Sequence, residues 1–204
     1  MAEPSQTLTL EQALELASQH HKAGRLPESE AIYQQILKEN PEQVDAVHML
    51  GVLAYQVGKH ELAVELITKA TTLQPNSPEA FCNLGLALQA LDQFTESETC
   101  YQQAIAMKQD YAVAHDNLGV LYQQLDQYEK AVTSHSMAIQ INPGLLNAHY
   151  NYGLVLQKLG KTQEAILKYQ HVLSLNPQQV KAITNLGSCF YELEMFEEAE
   201  AQYR

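Results

Sequence analysis

Four asparagines recur at one interval: Asn83, Asn117, Asn151 and Asn185 each lie 34 residues from the next (117−83, 151−117, 185−151). A carboxamide carries two donor hydrogens and an acceptor oxygen, so it can pair with the N–H and C=O of one peptide unit whatever side chain that unit bears. The chemistry this offers is recognition of a polypeptide backbone. Gln89, Gln123 and Gln157 follow six residues after three of these asparagines, and Asp116, Tyr150 and Tyr191 share the same windows as candidate side-chain contacts.

The elements that must hold these amides show the same interval. Gly51, Gly85, Gly119, Gly153 and Gly187 are 34 apart, and a fixed period of that length signals stacked repeats. Counting the glycine as position eight, the units are 10–43, 44–77, 78–111, 112–145, 146–179 and a truncated 180–204. Each reads as helix, turn, helix. Gly24, Asp92, Asp126 and Gly160 suit the turns, while Pro75, Pro143 and Pro177 cannot continue a preceding helix. Thr9-Leu10-Glu11-Gln12 is a capping box, and Ser77-Pro78-Glu79 a helix start with cap, proline and acid in order. Residues 1–9 are polar and are expected to be disordered. Ser29 stands where alanine is usual, and Gln109 where proline is expected. The last unit stops at Arg204 without a polar cap, which leads us to expect a longer protein.

Leu-Gly at positions seven and eight, alanine and an aromatic in the second helix, and a closing proline make the chain resemble tetratricopeptide-repeat proteins over nearly its whole length. The resemblance implies an all-α tetratricopeptide-repeat helical solenoid, a superhelix of helix–turn–helix pairs whose first helices line a concave groove. Positions 4, 7, 8 and 11 form an apolar stripe at i, i+3, i+4, i+7 spacing. Position 6, where the asparagines stand, groups with positions 2, 5, 9, 12 and 13 on the other side, at about 100° per residue. That side is expected to face open solvent. Helices about 8–10 Å apart and a strand rise of about 3.3 Å per residue would let neighbouring asparagines meet every third peptide unit of an extended partner. At about 0.5–1.5 kcal/mol per hydrogen bond, four such rungs suggest binding in roughly the micromolar range.

Repeated asparagine at position 6 also resembles the asparagine ladder of the repeat region in O-linked N-acetylglucosamine transferases, which implies a grip on substrate backbones at Asn83, Asn117, Asn151 and Asn185. Glu15 and Met49 occupy the position in the first two units, so the ladder is expected to end there. Two readings follow: a protein-interaction module for an extended peptide, or the substrate-recruiting arm of a larger transferase, with a protein glycosyltransferase as the class the resemblance implies. The bland alternative is an asparagine common to this repeat on a solvated helix face.

Composition narrows the partners. With 24 acidic and 12 basic residues the net charge is −12, which opposes binding to nucleic acid or anionic membrane surfaces. Cys82, Cys100 and Cys189 lack metal or disulfide spacing, and no secretory signal or membrane-length apolar run is visible, so a cytoplasmic setting is expected. Eight histidines raise the question of a metal, but His20 and His21 are adjacent and His115 and His149 fall on the packing position, so neither metal nor cofactor is expected. No phosphate loop or nucleophile–base pattern is present. The chain reads as non-catalytic, and the basic residues by which some family members clamp a terminal carboxylate are missing at positions 5 and 9. A third reading is self-association through the uncapped end or a tyrosine-rich outer face.

Overall fold

The computed structural model describes residues 8–203, which hold twelve α-helices and no strand. In chain order they are α1 (Leu10–Lys22), α2 (Leu26–Glu39), α3 (Val44–Gln56), α4 (His60–Leu73), α5 (Pro78–Gln89), α6 (Phe94–Met107), α7 (Ala112–Gln124), α8 (Tyr128–Ile141), α9 (Leu146–Lys158), α10 (Thr162–Leu175), α11 (Val180–Glu192) and α12 (Phe196–Tyr203). Most of the N-terminal stretch expected to be disordered, residues 1–7, lies outside the described residues.

Local chemistry explains the boundaries. The Thr9 hydroxyl accepts from Gln12 N–H at 3.3 Å while the Gln12 side chain accepts from Thr9 N–H at 2.9 Å, the reciprocal box that starts α1. Ser77 caps α5 by accepting from Ala80 N–H. Within each pair the first helix ends on a left-handed residue, Gly24, Gly58, Asp92, Asp126, Gly160 or Glu194. At Gly160 the chain forms a Schellman turn: Gly160 N–H donates to Gln157 C=O and Lys161 N–H to Leu156 C=O.

The chain divides within α6 into two compact units, Met1–Gln103 and Ala104–Arg204. In the first, α1 packs on α2, α2 on α3, α3 on α4 and α4 on α5, around Ala17, Tyr33, Ile36, Ala46 and Leu53 and then Ala63, Ile67, Leu84 and Leu88. In the second, α7 to α12 pack in sequence, with Leu156, Ala165, Tyr169, Leu186, Cys189 and Phe190 forming one cluster. First helices also touch one another directly, α3 against α5 and α7 against α9.

The periodic glycine permits the close crossing inside each pair. A Cβ on Gly85 would stand 2.7 Å from Tyr101 Cε1, and one on Gly153 would stand 2.6 Å from Tyr169 Cε1. No side chain fits there without moving the ring. Ser29, which breaks the usual alanine pattern, is fully buried and donates its hydroxyl to Ala17 C=O at 2.9 Å; Ser97 does the same to Gly85 C=O at 2.7 Å. The serine therefore adds a bond between paired helices.

Candidate functional site

The asparagines are half-buried, and the expectation that position 6 faces open solvent is corrected. Asn83 Nδ2 lies 3.0 Å from His48 Nε2, Asn151 Nδ2 lies 3.3 and 3.4 Å from the two Asp116 carboxylate oxygens, and Asn185 Nδ2 donates to the Tyr150 hydroxyl at 3.1 Å. Each partner stands 35 residues back, at position 5 of the preceding repeat. The physical reason is the contact of first helix with first helix, which places position 6 over position 5 of its neighbour. Asn117 is likewise half-buried on α7.

The glutamines turn inward. Gln89 is only 9 % exposed and accepts the Tyr101 hydroxyl proton at 2.8 Å; Gln157 accepts that of Tyr169 at 2.7 Å. Both partners lie twelve residues later, on the second helix of the same pair. The close crossing at glycine brings each ring hydroxyl under position 12, so these amides tie the helix pair together; the half-buried Gln157 also donates from Nε2 to Glu192 of α11 at 3.4 Å.

In the fourth repeat a histidine replaces the tyrosine. His135 is fully buried, its Nδ1 lies 2.7 Å from Asp116 Oδ1, and its Nε2 lies 2.6 Å from Gln123 Nε2. An amide nitrogen can only donate, so His135 Nε2 accepts and Nδ1–H donates to Asp116. Gln123 Nε2 also donates to Asn151 C=O at 3.3 Å, closing a network across α7, α8 and α9. Asp116, expected to contact a partner, is 6 % exposed and committed to this network. Tyr150 is half-buried beside Tyr169, whereas Tyr191, at 65 % exposure, is the most open of the expected contacts and meets Phe196 edge-on.

The position-4 histidines have a role the stripe assignment missed. His149 Nε2 donates to Pro143 C=O at 2.9 Å, and His115 Nε2 reaches Gln109 C=O at 3.2 Å, each six residues back across the turn between repeats. Burial lowers the His149 pKa, and its Nδ1 is buried without a partner. Burial also lowers that of His48. Among the described residues no group of three His, Cys, Asp or Glu is placed to hold a metal ion, and no helix is long and apolar enough to cross a membrane. Alanines at position 3 went unnoticed although the period marks them: Ala46, Ala80, Ala114, Ala148 and Ala182 are at most 2 % exposed.

Family models for the tetratricopeptide repeat match residues 14–78, 76–143 and 110–178. The chain belongs to the tetratricopeptide-repeat family. Human tetratricopeptide repeat protein 7A is 31 % identical over 85 residues, which is 42 % of this tetratricopeptide chain and 10 % of that protein. The chain thus spans a small fraction of that relative's length. The structure of pilF from Pseudomonas aeruginosa superposes with a TM-score of 0.82 at 16 % identity, covering 94 % of this chain and 86 % of that one. YrrB, described as a TPR protein with an unusual peptide-binding site, gives a TM-score of 0.63 at 20 % identity, covering 83 % of this chain and 88 % of that one. The fold is therefore the tetratricopeptide helical solenoid, a protein-interaction scaffold.

Proposed function

We propose that the first-helix faces of this scaffold bind extended polypeptide, with Asn83 in the first compact unit and Asn117, Asn151 and Asn185 in the second as backbone-directed rungs, and Tyr150 and Tyr191 beside those of the second. The observation that carries the reading is the hydrogen bond from position 6 to position 5. It engages the nitrogen of Asn83, Asn151 and Asn185 and uses none of the acceptor capacity of the oxygen. An amide held in one rotamer gives up less entropy on binding than a free one. Asp116 serves the reading by holding the Asn151 side chain in place. YrrB's description as a peptide binder supports the ligand class.

The test is fluorescence anisotropy with a labelled pool of random twelve-residue peptides, comparing the native chain with Asn117→Ala, Asn151→Ala and the double variant. Weakened capture at retained helicity is expected. Equal affinity for all four proteins would overturn the reading.

On the second reading the same faces recruit substrate for a glycosyltransferase catalytic region elsewhere in a longer polypeptide. Asparagine at position 6 in four successive repeats favours it. A nucleotide-binding α/β pattern downstream of Arg204 would support it, whereas further repeats or a stop would favour the scaffold.

A further inference from the structure

Where the asparagines end, the surface changes character. In the first compact unit a groove of about 880 Å³ runs along α1 and α3, with Leu14, Tyr33 and Met49 among its lining and the exposed Glu11, Glu15 and Asp45 beside them. Leu14 and Met49 are half-buried. Glu15 and Met49 occupy position 6 of their repeats, so an acid and a thioether replace the amide. The lining includes no Lys or Arg. Glu15 on α1 and Asp45 on α3 stand on the two walls of the groove, with Tyr33 of α2 between them in its lining.

We propose that this groove docks a partner segment in which bulky apolar residues alternate with Lys or Arg. The apolar lining supplies the burial that drives association, and a flexible methionine adapts to the shape of the entering side chain. The carboxylates select for cations and speed encounter more than they tighten the complex, and salt screens them. The chain's own first seven residues, Met1–Thr7, carry Glu3 and no Lys or Arg, so they do not complement these carboxylates. The inference is independent of the asparagine reading, because it uses side-chain charge where that one uses partner backbone.

Fluorescence anisotropy on the whole chain tests it, with twelve-residue probes alternating Leu with Lys, with Gln or with Glu. The Leu-Lys probe is expected to bind at least tenfold tighter than the Leu-Gln probe at low salt and to lose most of that margin at high salt. Glu15→Gln with Asp45→Asn is expected to remove the margin while leaving the circular dichroism spectrum and the Leu-Gln affinity unchanged. Glu197→Gln with Glu198→Gln, which removes the same charge from α12, is expected to preserve it. Equal binding of the three probes overturns the proposal, as does an equal loss in both double variants, which would reflect net charge alone. Asn151→Ala is expected to leave Leu-Lys binding intact, so failure of either reading is visible without the other.

Discussion

The Asn151 amide reaches back 35 residues to both carboxylate oxygens of Asp116, joining α9 to α7 by their inner faces. The bonds are long, at 3.3 and 3.4 Å, but the acceptor is charged and largely buried. Asn151→Ala should lower stability by about 1 kcal/mol in urea unfolding. Asn151→Asp should be worse than alanine, since it sets a second carboxylate against Asp116. An aspartate variant as stable as the alanine one would show that the contact is not formed in solution.

The buried Asp116–His135 pair should be energetically coupled. His135→Tyr installs the residue that the third and fifth repeats use at this place, Tyr101 and Tyr169, but takes from the buried Asp116 carboxylate its 2.7 Å bond and leaves it the longer ones from Asn151. We expect a loss of about 1–3 kcal/mol. Adding Asp116→Cys, after Cys82 of the third repeat, should recover most of it. A double-mutant cycle with no coupling would contradict the network.

Gly153→Ala should destabilise by about 1–3 kcal/mol, because its Cβ would meet Tyr169 at 2.6 Å on a fully buried ring. Gly144→Ala is the control: the nearest atom there is Asn142 Oδ1 at 3.5 Å, and the thermal midpoint should hardly change.

Acid should weaken the fold partly through His48 and His149. Burial sets both below the ordinary 6.5 in the folded chain. As pH falls through 6.5 the unfolded chain takes up the proton first, so their contribution is full above that pH and is lost below it. His48→Gln keeps an acceptor for Asn83 and should flatten the decline of the melting temperature between pH 7.5 and 5.5. An unchanged slope would remove His48 from the account.

The thiols should be inert in the native chain. Burial pushes Cys100 up to about 11 and Cys189 up to about 12, with Glu96 and Glu192 adding to the shift. At pH 8 little thiolate forms, so iodoacetamide should label neither residue appreciably until denaturant is added. Fast native labelling at either site, read by mass spectrometry, would contradict its burial.

Period, pairing and turns were legible because they depend on residues that only one backbone geometry accepts: glycine where two helices cross, and glycine or aspartate at left-handed turns. The direction of Gln89 and Gln157 was not legible. A helical wheel sorts positions around one axis, whereas these amides are covered by the partner helix of the same pair. The same limit hid the buried position-3 alanines and the position-5 acceptors, whose surroundings are set by neighbouring repeats. Ser29 looked like a defect in the pattern because a sequence shows a hydroxyl but not the carbonyl of Ala17 beneath it.

The backward grip of position 6 on position 5 bears on how such a chain changes length. If the 34 residues Leu146–Gln179 were excised, Asn185 would land where Asn151 had been, facing Asp116 instead of the Tyr150 hydroxyl. Either oxygen accepts the same amide proton, so this module can be lost without leaving the seam unjoined, whereas a deletion within it of a few residues from the first helix throws its own seam out of step.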